Sequence, residues 1–455
     1  MNPSPTSSSS RRLWTRVLSG LLAGLAVGLV LIVIGARIWL GLYLHSDGFR
    51  KLVSQKTSAA LHAEGEYLPL HWTGTTAYSD GFYARGLPGS PLKELRADQI
   101  RADLEVSGLF HSAWRVSGLD IQRLQTSIGS VDTAPVAASS APATASSGRS
   151  MRLELEPIRI HDGNIQWAMG GTASGAVRRA QMVFTPGDAS WEASASSGEL
   201  VLLDWQPMRI EQARVRLQRD ALFITDSHLQ LPDGGKLSAS GQIGLGAARE
   251  SDLTLHFADV PVTPWLPKDW RGRLVGQARG ETRLRGRLSG TDALSTEGKV
   301  ELTGAKLEAL PVLNRLAVFT GSEQFRQLQL EKASAEFTWK PTRLAVQKLV
   351  MESRGLLRVE GAFTVEKDVI AGEFDVGVSA STLRWLPGAR TRVFTVERDG
   401  YQWTKVKVQG PTSDIQEDLS TRLITAAGTE LFEDTKGTVQ KGAETLLGIF
   451  HKLTQ

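Results

Sequence analysis

Cysteine is absent from the 455 residues, which excludes disulfides, iron–sulfur clusters and thiolate zinc sites; a chain without thiols fits any compartment, an oxidising one included. The eight histidines are scattered, and none stands at metal-ligand spacing such as H-E-x-x-H. The net charge of +4 is diffuse over so long a chain, and no DNA- or RNA-binding signature appears. Gly234-Gly235-Lys236-Leu237-Ser238 lacks the upstream glycine of a phosphate loop, has leucine after its lysine, and reads as a hairpin turn. Gly244-Leu245-Gly246 lacks the third glycine of a dinucleotide fingerprint. Asp162 and Asp226 are lone acids beside turns. No catalytic set, metal site or cofactor site is expected, and no enzyme.

What is present begins with one long apolar run. From Val17 to Ala36 about 20 residues carry no charge, enough to cross a hydrocarbon core of roughly 30 Å as a helix. Arg11, Arg12 and Arg16 precede it, which by the positive-inside rule holds residues 1–16 in the cytoplasm. Arg37 after the run can snorkel, and Trp39 and Tyr43 suit a headgroup belt, so Arg16, Arg37, Trp39 and Tyr43 are the expected interface anchors. A cleaved signal peptide would have a shorter apolar region and a small-x-small site; residues 17–44 therefore read as an uncleaved single-pass anchor.

Residues 45–128 open with a helical pattern. Phe49, Leu52, Val53 and Ala60 fall on one face, with Ser46 or Asp47 as cap. That helix either lies on a membrane surface or packs on the first strands. From Glu66 the period switches to two, and short alternating runs separated by Gly, Pro and Ser signal successive antiparallel strands. Residues 129–148 are rich in Ser, Ala, Pro and Thr and read as a flexible linker. Strand patterns resume over 149–305, with Ser251-Asp252-Leu253-Thr254-Leu255-His256-Phe257 as an example and Pro261–Pro267 as an ordered turn.

Gly235–Ile243 and Gly355–Phe363 resemble each other at an offset of about 120 residues, each a strand after a turn, which points to a repeating sheet. Within 306–411, Leu310, Leu313, Leu316 and Ala317, then Phe325 and Leu328, predict an inserted helix near 307–328. In the tail 412–455, Ile415, Leu419, Leu423, Ala427 and Leu431 stand four apart. Gly428, Gly437 and Gly442 favour two amphipathic helices broken near Asp434–Gly437 over one rod.

A long antiparallel sheet with few helices must hide its apolar face as a sandwich, a barrel or a curled groove. The expected lining is Leu237, Ala239, Ile243, Leu357, Val359 and Phe363, with Ser238 and Arg358 facing outward.

Several stretches together resemble the AsmA-like family, the AsmA/TamB-type proteins. They are Ser46-Asp47-Gly48-Phe49-Arg50-Lys51-Leu52-Val53 after a single span, the run Leu95-Arg96-Ala97 through Val116-Ser117-Gly118-Leu119, Leu310-Pro311-Val312-Leu313 through Phe319-Thr320-Gly321, and the close at Val408-Gln409-Gly410-Pro411. The similarity covers most of residues 15–415. It implies an elongated, taco-like β-groove anchored in the inner membrane with its bulk in the periplasm, holding or conducting phospholipid for outer-membrane supply and envelope integrity. The alternative expectation is a structural or assembly factor of the envelope that binds a partner protein through its sheet edge or helical tail.

Overall fold

The computed structural model describes residues 43–434 apart from 106–112, 130–151, 169–173, 188, 203–205, 219–220, 246–249, 267, 288–293, 309–316, 318–322 and 385–387. The apolar run Val17–Ala36, with Arg16, Arg37 and Trp39, lies outside the described residues. So do most of the 129–148 linker, most of the expected inserted helix and the tail beyond Asp434. Among the described residues no helix is long and apolar enough to cross a membrane. The chain is mainly β; among the described residues 24 strands join one sheet, largely antiparallel, with Ala113–Val116 and Arg152–Leu155 paired in parallel. It divides into two units, Met1–Gln166 and Trp167–Gln455.

The first unit starts with the expected helix, Asp47–Leu61. Ser46 caps it by accepting from the Phe49 amide, and His62 ends it in the left-handed conformation. Its inward side differs from the apolar stripe read in the sequence, for Leu52 is 45% exposed whereas Phe49 and Ser54 are buried. The reason is the partner surface. Among the described residues strand Ala63–Tyr67 pairs with Thr76–Gly86 alone, and the helix serves its other side with hydroxyls. Ser54 accepts from the Tyr67 amide at 3.1 Å, and Ser58 both accepts from the Gly65 amide and donates to the Gly65 carbonyl at 3.0 Å. Four residues of helix rise about as far as two residues of strand, roughly 6–7 Å, so serines four apart meet alternate residues of the edge. Phe49 meets Tyr43 and Trp72 edge-on, with ring centroids at 5.8 and 5.9 Å. The strands Thr76–Gly86, Leu92–Glu105 and Ala113–Gly129 continue the sheet and bury Phe82, Ala97 and Leu124 in register.

The second unit is an antiparallel meander. Ser174–Pro186 pairs with Trp191–Ser196 and Glu199–Leu202, which pair in turn with Met208–Leu217. From there each strand turns back on the last through Ala221–Gln230, Lys236–Gly244, Ser251–Pro261, Leu274–Gly286, Ser295–Glu308, Lys332–Lys340, Arg343–Ser353, Leu357–Glu366, Val369–Ser379 and Tyr401–Pro411. The two sequence-similar stretches are both second arms of hairpins, Ala221–Gln230 with Lys236–Gly244 and Arg343–Ser353 with Leu357–Glu366. The Pro-rich segment forms short 3-10 turns at Thr263–Trp265 and Lys268–Trp270.

The ends of the expected 307–328 helix are not helical. Leu307 belongs to strand Ser295–Glu308, Phe325 to a single 3-10 turn and Leu328 to strand Gln327–Leu330, while Ala317 between them is helical. Register decides this: Leu307 and Leu328 face each other across a ladder, and both are buried. A spacing of three that suits a helix also suits a strand that leaves and re-enters a sheet. The tail does form a helix, Leu419–Asp434.

Candidate functional site

The two faces of the second unit's sheet are opposite in chemistry. Because side chains alternate across a strand, the ladders fix which residues share a face. One row runs across nine strands without a charge: Ala239, Leu255, Thr282, Gly298, Phe337, Val346, Phe363, Gly372 and Val408, each the register partner of the next. The adjoining row is Leu253, Leu284, Thr296, Trp339, Leu344, Val365, Ile370 and Gly410. At about 4.8 Å per strand the first row covers roughly 38 Å.

The opposite face is an ion-pair lattice. Arg283 and Asp252 meet there, as do Arg279 and Glu301 at 3.0 Å, and Lys299 and Lys348 share Glu336 at 3.4 and 3.0 Å. Hydrogen bonds from Lys348 and Lys299 hold the Glu336 carboxyl below its usual range, and the Arg283 guanidinium does the same for Asp252. An open hollow of about 510 Å³ lies over this lattice between Arg279, Lys299, Glu301, Glu336 and Lys348. Among the described residues no group of acids and histidines could hold a metal ion.

The apolar face itself has two zones. At one end of the strands it is sealed. Leu307, Ala333, Leu357, Val376, Val378 and Val406 of the sheet are closed over by Phe325 and Leu328, by Leu383, Val393 and Phe394, and by Leu419, Leu423 and Ala426 of the tail helix. At the other end no such lid exists among the described residues. Leu253, Leu255, Phe257, Leu284, Val300, Phe337, Leu344, Phe363, Val365 and Ile370 stay half-buried, Val346 is buried, and Trp339 is 41% exposed.

Backbone irregularities keep both zones on one face. The ladder of Arg343–Ser353 with Leu357–Glu366 shifts between Val346 and Leu349, and Lys348 there has φ +48°. The extra residue is a β-bulge. It lets Leu344 and Val346, then Leu349 and Met351, face the same way despite the change of parity. Asp259 at φ +56° accompanies the equivalent shift between Phe257 and Val260.

The open strip has a low floor. A Cβ added at Gly280 would meet the Phe257 ring tip at 2.9 Å, and one at Gly298 the Phe337 tip at 3.0 Å. The phenylalanines thus lie down over cross-strand glycines instead of standing up to meet a second layer. A surface of that kind is apolar and smooth, and accepts linear apolar matter along its length.

The six lining positions divide between the zones. Leu237, Ala239, Ile243 and Phe363 are half-buried on the open strip. Leu357 is 6% exposed inside the sealed core and Val359 packs against it, so these two belong to the protein's own packing. Arg358 faces the charged side, bonded to Glu360 at 2.6 Å, and Ser238 pairs there with His256. Tyr43, the described member of the anchor set, is 39% exposed and leans on Phe49. The sequence reading missed Phe337, Trp339 and Leu344. Their signal was visible as alternation on both sides of Lys340-Pro341-Thr342-Arg343, a turn between two apolar arms. No protein-family model, no curated protein and no solved structure matches the chain.

Proposed function

We propose that this chain is a membrane-tethered lipid carrier that holds or conducts phospholipid acyl chains along the open apolar strip of its large sheet. The observation that carries the reading is the strip itself. Most of two adjoining charge-free rows stays only half-buried, while the same face a few residues away is sealed as an ordinary core. Burying apolar surface is worth about 25 cal/mol per Å², so a strip of this size left half-covered costs stability unless something apolar covers it in use. In this reading the sheet curls as a groove, the run Val17–Ala36 tethers it to the inner membrane, and the bulk lies in the periplasm supplying lipid toward the outer membrane. The likeness to AsmA-like proteins supports that setting.

The test is photo-crosslinking in the full-length protein within native membranes. A crosslinker in place of Phe363 or Leu255 is expected to capture phospholipid, and one in place of Arg283 or Ser238 on the charged face is not. Capture confined to the charged-face positions overturns the reading. The alternative of an assembly factor that recruits a partner through its tail is less favoured, because Leu419, Leu423 and Ala426 are already spent inside the core.

A further inference from the structure

At one of its hairpin tips the open strip ends in two exposed cations. Trp339 and Leu344 are the last apolar register pair before the turn, and the next pair outward is Lys340 with Arg343. Both cations are exposed. Elsewhere on the charged face Lys348 and Lys299 meet Glu336 and Arg279 meets Glu301, whereas Lys340 and Arg343, like Lys332 and Arg287, make no ion pair among the described residues. Glu366 stands opposite Arg343 in the ladder, yet no ion pair joins them. The neighbouring tip on the same side, Glu366-Lys367-Asp368-Val369, carries two acids against one lysine. Pro341 is the residue after Lys340 and fixes the turn's backbone.

By strand alternation Lys340 and Arg343 leave the backbone on the face opposite Trp339 and Leu344. At the turn itself, however, their long stems reach round the tip, so an exposed tryptophan there stands with cations on long stems. Those are the side chains that settle where hydrocarbon gives way to phosphate.

We propose that the tip Lys340–Arg343 binds the phosphate-bearing headgroup of an anionic phospholipid whose acyl chain lies on Trp339, Leu344 and Phe337. The proposal rests on the lipid-carrier reading and adds to it a ligand class and a polarity: headgroup at the Lys340–Arg343 tip, chain pointing toward the sealed core. Two cations acting on one headgroup favour a net negative lipid over a zwitterionic one, by about tenfold at low salt, and the preference shrinks as salt screens it.

The experiment uses the full-length protein with a photo-crosslinker in place of Leu344, exposed to vesicles of phosphatidylcholine with phosphatidylglycerol as the minor component. Adducts are identified by mass. The expected result is phosphatidylglycerol adducts enriched about tenfold over the lipid's share of the vesicle, with the enrichment lost in the K340E/R343E double variant and weakened in K340Q/R343Q. Thermal unfolding of each variant checks that the exposed tip changes leave the fold intact. Capture of both lipids in proportion to their abundance overturns the headgroup assignment while leaving the strip reading standing. Enrichment that survives K340E/R343E overturns the assignment to this tip. Absence of any lipid adduct at Leu344, Leu255 and Phe363 overturns the lipid-carrier reading and this inference with it.

Discussion

The Ser58 hydroxyl and the Gly65 backbone are joined twice, Ser58 Oγ accepting from the Gly65 amide and donating to the Gly65 carbonyl, both at 3.0 Å. With Ser54 on the Tyr67 amide, this satisfies the outer groups of strand Ala63–Tyr67 that would otherwise template pairing with another chain. Replacing both serines, S54A/S58A, is expected to lower stability by about 1 kcal/mol for each site and to raise self-association. Urea unfolding and light scattering of the full-length protein check both. A variant as monodisperse and as stable as the parent would show that the helix protects this edge by packing alone.

The division of the apolar face into a sealed and an open zone makes opposite demands on two aromatic residues. Phe325 has no exposed surface and sits in the sealed core, so Phe325→Ala is expected to cost about 3–5 kcal/mol. Trp339 is 41% exposed at the open end, so Trp339→Ala should cost less than about 1 kcal/mol in the lipid-free protein. Denaturant unfolding measures the pair. A Trp339 cost approaching that of Phe325 would mean that the strip serves as core.

How much of this was legible in the sequence follows from which interactions are local. The helix after Ser46 could be read because its cap lies within its own first turn, and the alternation of Leu253, Leu255 and Phe257 announced a one-faced strand. The matching of Gly235–Ile243 with Gly355–Phe363 placed both on equivalent hairpin arms. It could not show that Leu357 is sealed and Leu237 is open, because that depends on Phe394 and Leu419, contributed from much later in the chain. Leu307 and Leu328 read as helix because their spacing allows it, and only their ladder shows them to be cross-strand partners. The bulge at Lys348 carried no composition signal at all, since a lysine at positive φ is rare.

That bulge gives a third prediction. Lys348 sits at φ +48°, a conformation that costs non-glycine residues about 1 kcal/mol and β-branched ones more. Lys348→Ile is expected to destabilise by about 1–2 kcal/mol. Lys348→Gly should be close to neutral, since relief of backbone strain offsets the lost contact with Glu336 and the greater freedom of the unfolded chain. Thermal unfolding of the three proteins ranks them, and equal stability of the isoleucine and glycine variants would remove strain from the account of the bulge.

The carboxylates of the charged face set the acid response. Asp252 is held below its usual range first by its hydrogen bond from Arg283, and Glu336 by those from Lys348 and Lys299. A carboxyl whose folded pKa is depressed contributes stability that is fully present above its unfolded value, near 4. That stability is lost as pH falls through the lower folded value, because the unfolded chain takes up the proton first. Stability should therefore hold from about pH 7 to about pH 5 as far as these two groups are concerned, then fall. In D252N/E336Q the neutral amides neither bind that proton nor form the charged bonds. The double variant should start slightly less stable at neutral pH and show a shallower decline below about pH 4. Urea midpoints measured down the acid range for both proteins test the sign. Parallel curves would mean that the two carboxyls titrate alike in the folded and unfolded chains, and the lattice would then be a solvated surface with no hold on the sheet.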